Sequence, residues 1–244
     1  MINLPQVIGF DMDGTIVKSN QIIDSAMVNK LNGLAKKHIV IVISGASYEH
    51  MYQQLLLNNH DQGLQEFYLM PVNGGICFQV IKGQPNLLWH EKMTESSAEF
   101  IKKDLQRVLK IQPFSSIVPT GKQIQFRDQS SVNIKLIGDQ AKYEDKLAFD
   151  PDHKIRKGFV KHLSIPTDIY TIKIAGTSTI DITLKHVDKA QSLDRLLKTL
   201  NVNQKDFVYF GDATYPGGND EMVALAGYQV ITVKDWQDTL SKIT

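Results

Sequence analysis

Apolar residues in this chain follow two rhythms, and the rhythm changes twice. At first, short unbroken apolar runs alternate with stretches of helical spacing. "VIGF" (7–10) reads as a short buried strand. Ile23, Met27, Leu31 and Leu34 then recur every three or four residues, like one face of a helix. "HIVIVIS" (38–44) is β-branched and too short for a helix, so it predicts a second strand. "YEHMYQQLLL" (48–57) predicts a helix and "EFYLMPV" (66–72) a third strand. Strands separated by helices imply a parallel sheet covered by helices.

After Asn73 the pattern differs. "GICFQVIKGQPNLLWH" (75–90) reads as a hairpin turning at Lys82-Gly83. "SSAEFIKKDLQRVLKI" (96–111) is amphipathic at helical spacing. "KQIQFRDQSSVNIKLIG" (122–138) alternates apolar and polar residues around a polar turn, a hairpin signature. A helical stretch at 152–163 precedes a second alternating pair at 169–184. Hairpins with helices between them describe an α+β unit. The first rhythm then returns, with a helix over 188–201 and strands over 206–210 and 228–233. The predicted fold is α/β: a Rossmann-like parallel core with helices on both faces, discontinuous over 1–82 and 185–244. An α+β cap is inserted at 83–184.

Composition narrows the partners more than the fold. The 244 residues suffice for one large domain or two modest ones. With 27 basic and 26 acidic side chains, the net charge of +1 favours a small molecule over nucleic acid or a membrane. The single cysteine, Cys77, can make no internal disulfide. It reads as a small buried hydrophobe in a reducing cytoplasm. The opening residues lack the basic head and apolar run of a secretory leader. No apolar run approaches the ~18 residues of a membrane span, and no histidine–cysteine pattern suggests zinc.

The unusual feature is charge at strand ends. In open parallel sheets, ligands bind at the carboxyl ends of the strands. Asp11 and Asp13 follow the first strand, Ser44 and Gly45 the second, and Asn73 the third. Asp212 and Asp220 follow a late strand, within "FGDATYPGGNDEMV" (210–223). Acids gathered in one crevice repel unless a cation neutralises them. Mg²⁺, a hard ion that prefers oxygen ligands, would do so and would bind a phosphoryl group in turn. Each motif alone has a plainer reading. "DMDG" can be a turn, "SG" a loop or helix cap, and Lys189 a solvated lysine opening a helix.

Taken in order, "DMDGT" after the first strand, "SG" after the second, a lysine opening a later helix and "GD…ND" after a late strand resemble the haloacid dehalogenase superfamily of phosphatases and phosphotransferases. The type it resembles carries a large α+β cap (type IIB). The resemblance covers the whole parallel core. It implies that Asp11 is the nucleophile that accepts the phosphoryl group, and Asp13 the general acid and base. By the same resemblance Ser44, with Gly45, and Lys189 hold the phosphate. Asp212 would hold Mg²⁺ with Asp11 and the backbone carbonyl of Asp13, and Asp220 would support the metal site.

Within the superfamily, "GDATYPGGNDEM" is similar to the GD-x-T-x-PGGND signature of the eukaryotic-type phosphomannomutases. "IQFRDQSSVNIKLIGDQA" resembles the cap hairpin of that family, where arginines grip the distal phosphate of the sugar. Arg127 matches one of them, whereas Thr120 and Asp139 stand at two others. "STIDI" (178–182) fits the sugar-contacting strand and makes Asp181 a candidate for sugar hydroxyls. An aspartate in place of an arginine reverses the local charge and removes a bidentate donor. Lys122, Lys135 and Lys142 are the candidates to compensate.

The expected function is a Mg²⁺-dependent phosphatase acting on a small phosphorylated metabolite, a sugar phosphate, through an aspartyl phosphate on Asp11. The alternative is a phosphomannomutase interconverting mannose 6-phosphate and mannose 1-phosphate. A non-catalytic sugar-phosphate sensor is a remote third reading, since Asp11, Asp13, Lys189 and Asp212 are all in place. The expected state is a monomer or a homodimer paired through the cap.

Overall fold

The computed structural model describes residues 4–18, 21–57 and 63–243. The first three residues, on which the leader reading partly rests, lie outside them. The chain divides into two compact units, Met1–His90 with Val187–Thr244, and Glu91–His186.

The first unit is built on β1 (Val7–Asp11), β2 (Ile39–Ile43), β3 (Glu66–Met70), β4 (Ile76–Ile81) and β5 (Gln84–His90). Two later strands, β10 (Phe207–Gly211) and β11 (Gln229–Thr232), complete a seven-stranded sheet in the order β11-β10-β1-β2-β3-β4-β5. Neighbours from β11 to β3 are parallel, and β4 and β5 are antiparallel additions. β1 is buried at all five positions because both faces of the sheet are covered. Ile8 and Phe10 join Val42 and Phe210 in one apolar layer. That layer includes Met27 and Leu31 of α1 (Ser25–Ala35) and Met51 of α2 (Tyr48–Tyr52). Val7, Ile41 and Phe207 join the opposite layer, with Leu193 and Leu196 of α6 (Lys189–Thr199). Each such side chain contributes about 1.5–3 kcal/mol on burial. The sheet, rather than the loops, therefore fixes where Asp11 stands.

Helix ends are set by side chains. Asp24 accepts from the Ala26 amide at the start of α1, and Asp188 accepts from the Gln191 amide at the start of α6. The second cap places Lys189 at the first helical position, where its side chain is buried.

The second unit holds α3 (Glu95–Leu109), β6 (Ile124–Arg127), β7 (Ser131–Lys135), α4 (Tyr143–Phe149), α5 (Lys154–Lys161), β8 (Tyr170–Ala175) and β9 (Thr179–Leu184). Its four strands form an antiparallel sheet in the order β6-β7-β9-β8. Val132, Ile134, Ile180 and Ile182 turn one face toward Ile101, Leu105 and Val108 of α3 and Phe159 of α5. The alternate positions carry Arg127, Ser131, Asn133, Lys135, Lys173, Asp181 and Thr183, so the other face is polar. A wholly buried ion pair anchors α5. Asp150 accepts from Arg156 Nε at 2.9 Å and from the amides of Ile155 and Arg156. The Arg156 guanidinium also donates to the carbonyls of Ala175 and Gly176.

Several local expectations change. The hairpin strand Gln84–His90, which the sequence reading gives to the insert, is hydrogen-bonded into the first unit's sheet. The helix expected over 48–57 is α-helical to Tyr52 and then widens into a π-helical turn, Gln53–Leu57. Three helices have no counterpart in the sequence reading: α4, α7 (Glu221–Leu225) and α8 (Trp236–Lys242). Among the described residues, no helix is long and apolar enough to cross a membrane.

Candidate active site

β1 ends on Asp11, whose register partner on β2 is Ile43; Ser44 is the next residue. Phe10 pairs with Phe210, and Asp212 follows β10 by one residue. Parallel register thus brings three loops to one end of the sheet. Gly14 lies in the turn after β1 with φ +83, and a Cβ there would sit 2.6 Å from Asp212 Oδ2. Gly211 has the same function toward Asp220, whose Oδ2 would lie 2.5 Å from an added Cβ. Both glycines let carboxylates approach the backbone closely.

Lys189 is at the centre. Its Nζ donates to Asp11 Oδ1 at 2.5 Å and to Asp220 Oδ1 at 2.6 Å. Asp220 Oδ2 accepts from the Ala213 amide at 3.2 Å, and Asp212 Oδ1 accepts from the Thr15 hydroxyl at 3.4 Å. Asp11, Asp212 and Asp220 each offer an oxygen within 4.8 Å of the others. Burial pushes the Asp11 carboxyl up to about 7, with Asp220 and Asp212 adding to it and Lys189 opposing. Burial also raises Asp212, with Asp220 contributing. For Lys189, burial works against the ammonium, but Asp11 and Asp220 outweigh it and raise its pKa. Three close carboxylates sharing one ammonium carry surplus negative charge, which a divalent cation with oxygen ligands would neutralise. The donor set therefore fits Mg²⁺.

Asp13 is half-buried in the tight turn that follows, where Gly14 donates to the Val17 carbonyl. Ser44 is buried, and its Oγ accepts from the Ala46 amide at 3.1 Å. The Asn73 amide donates to the Ser44 carbonyl at 2.7 Å, and a Cβ on Gly45 would be 3.4 Å from Asn73 Oδ1. Ser44, Gly45 and Asn73 thus form one neighbourhood on the adjoining strand ends.

Arg127 and Asp181 lie in the second unit, on the polar face of its sheet. In the orientation that satisfies both groups, the Asn133 side-chain oxygen accepts from Arg127 at 2.6, 3.0 and 3.1 Å. Asn133 pairs with Asp181, and Asp181 with Lys173. Asp181 Oδ1 is buried without a hydrogen-bond partner among the described residues. Burial raises the Asp181 carboxyl, while Arg127, Lys135 and Lys173 pull it down. Lys135 is lowered by burial and by the charges of Arg127 and Lys146, which places it in the same basic group. Asp139 is engaged locally: its carboxylate accepts from the Lys122 amide at 2.8 Å and from Gln125 Nε2 at 2.7 Å.

Two contributors were missed from sequence. Thr15 carries a weak signal, its place within "DMDGT". Tyr209, whose hydroxyl donates to Asp220 Oδ1 at 2.7 Å, sits in the apolar run "DFVYF" and reads as core.

A family model described as haloacid dehalogenase-like hydrolase matches residues 8–234. Among curated proteins, the chain is similar to a phosphomannomutase of Drosophila melanogaster, 27% identical over 96% of this chain and 93% of that one. A phosphomannomutase of Spinacia oleracea gives the same identity and coverage. Phosphomannomutase 1 of Dictyostelium discoideum is 29% identical over 88% of this chain and 85% of its own. Among solved structures, an IMP-bound Plasmodium falciparum IMP-nucleotidase superposes with a TM-score of 0.65 at 18% identity, over 98% of this chain and 67% of that one. A Thermoplasma acidophilum protein reaches 0.60 at 14% identity, over 98% and 96%. At these identities the structural likeness speaks for the fold.

Proposed function

The chain belongs to the haloacid dehalogenase-like hydrolase family, and from that premise we propose that it is a phosphoryl-transfer enzyme for sugar phosphates, working through an aspartyl phosphate on Asp11. The observation that carries this is the buried Lys189 ammonium held between Asp11 and Asp220. A carboxylate attacks a phosphate dianion only if the charge between them is offset.

In this reading an Asp11 oxygen attacks phosphorus and the ester P–O bond breaks. Asp13 gives its proton to the leaving oxygen. The acceptor hydroxyl then loses its proton to Asp13 and attacks the phosphoryl group, which leaves Asp11. Lys189 and Ser44 hold phosphoryl oxygens, with Gly45 and Asn73 shaping the loop around them. Asp11, Asp212 and Asp220, with the backbone of Asp13, would hold Mg²⁺, which supplies Lewis-acid neutralisation of the phosphoryl charge. The second unit would choose the substrate through its polar face, with Arg127 and Lys135 meeting a distal phosphate and Asp181 a sugar hydroxyl. A cytoplasmic location fits the single cysteine.

The acceptor separates two outcomes. The similarity to phosphomannomutases runs through the second unit as well as the first, and the basic group around Arg127 suits a second phosphate. These favour a mutase over the phosphatase preferred from sequence alone. The phosphatase reading keeps one specific support: Thr120 and the carboxylate of Asp139 stand where the mutase pattern has arginines. The test is incubation with mannose 1-phosphate, Mg²⁺ and a hexose bisphosphate, followed by ³¹P NMR. Isomerisation that outpaces release of inorganic phosphate is expected of a mutase. Release without isomerisation would return the enzyme to the phosphatases. Neither product from any phosphosugar would refute the reading.

A further inference from the structure

Tyr209 has no part in the chemistry above, yet its hydroxyl lies inside the charge cluster. Its side chain is wholly buried on β10, in the apolar layer that faces α6. The hydroxyl donates to Asp220 Oδ1 at 2.7 Å and accepts from Lys189 Nζ at 3.3 Å. Lys189 reaches the same Asp220 oxygen at 2.6 Å and Asp11 Oδ1 at 2.5 Å. The ammonium therefore has two close carboxylate acceptors and, at a longer distance, the phenol oxygen, the weakest of the three contacts and the one a phosphoryl oxygen can replace. Asp220 Oδ1 has two donors, and its Oδ2 takes the Ala213 amide at 3.2 Å.

An ammonium between two carboxylates has no inherent preference for the one that reacts. A second donor on Asp220 changes the balance. It takes up part of the charge on Oδ1, so that Asp220 draws less on Lys189. A phenylalanine would fill the same space in the apolar layer and leave Oδ1 to the ammonium alone. The hydroxyl is thus an electrostatic addition to a side chain otherwise used for packing.

We propose that Tyr209 is a positioning residue: by sharing the charge of Asp220, its hydroxyl leaves the Lys189 ammonium directed at Asp11 and at a phosphoryl group placed there. The proposal rests on the aspartyl-phosphate reading.

Tyr209→Phe removes a single oxygen. Wild type and variant are compared in Mg²⁺-supported hydrolysis of p-nitrophenyl phosphate. They are also compared in ¹⁹F NMR titration with beryllium fluoride and Mg²⁺, a phosphoryl mimic on a carboxylate, and in thermal unfolding without metal. In the variant, kcat is expected to fall roughly 10–100-fold with KM within about threefold. The fluoroberyllate adduct should require higher concentrations, and the unfolding temperature should stay within about 3 °C. Asp220→Asn should weaken the adduct by itself, through the lost metal ligand, and in that background Tyr209→Phe should add no further weakening, because the hydroxyl acts through Asp220. Unchanged kcat and adduct affinity would overturn the role of Tyr209. So would equal weakening in both backgrounds, or a variant that simply unfolds. A wild type that neither turns over nor forms the adduct would instead sink the aspartyl-phosphate reading, and the proposal with it.

Discussion

Asp11 sits where its own ionisation is disfavoured. Burial, reinforced by Asp220 and Asp212, lifts its carboxyl from an ordinary 3.8 to about 7 despite the Lys189 contact. A carboxyl raised on folding carries no burden below its unfolded pKa. The burden grows as pH rises between the two values and is complete above the folded one. Without metal, Asp11→Asn should therefore raise the unfolding temperature at pH 8, on the order of 5 °C, and much less at pH 4. The same substitution should lower turnover by roughly 10³-fold or more, since an amide does not attack phosphorus. Calorimetry at the two pH values and single-turnover kinetics check both halves; a destabilised variant at pH 8 would contradict the charge argument. Asp11, Asp212 and Asp220 were readable as a group because carboxylates that follow buried strands have no packing explanation, whereas Lys189 joined them only through the resemblance of the ordered motifs. Tyr209 was not readable, because an aromatic residue inside an apolar strand already has a packing explanation.

Elements of regular rhythm were readable, and those set by long-range contacts were not. β1, β2 and β10 announce themselves as unbroken apolar runs because each is covered on both faces. α4 gives no such signal: none of its residues is buried, so no apolar stripe marks it. α7 and α8 are too short to establish a period. The fate of β5 depends on which sheet its partner joins, and β4 is claimed by β3 through pairs such as Phe67 with Val80.

Asp150→Ala would leave the Arg156 guanidinium buried opposite no charge, at a cost of about 3–5 kcal/mol. Urea denaturation should show that loss. A combined Asp150→Leu, Arg156→Met variant should recover much of it, whereas an equal loss in both would mean that the charge is not the cause. On the polar face, the proposed contact of Arg127 with a distal phosphate would be charge-assisted and worth about 1.5–3 kcal/mol, so Arg127→Ala should raise KM roughly 10–100-fold. An unchanged KM in steady-state kinetics would remove Arg127 from the substrate site.

For the molecule as a whole, the acid cluster ties stability to metal. Three carboxylate oxygens within 4.8 Å of one another repel in the folded state and separate on unfolding. An ion that binds only the folded chain stabilises it by mass action, about 2.7 kcal/mol at a hundredfold excess over Kd. For a chain of this size that corresponds to roughly 5–10 °C. Mg²⁺ should therefore raise the unfolding temperature, EDTA should reverse the rise, and phosphoryl transfer should be lost and regained in parallel. The rise should be larger at pH 8 than at pH 5. With the Asp11 carboxyl titrating near 7, Mg²⁺ must displace a proton at the lower pH but not at the higher. Asp212→Ala should abolish the metal-dependent shift while leaving the apo protein folded, because Asp212 stands in the loop just beyond the end of β10 and not in the apolar core. Full activity after exhaustive dialysis against EDTA, or a Mg²⁺ shift that survives Asp212→Ala, would show that these acids serve something other than a cation.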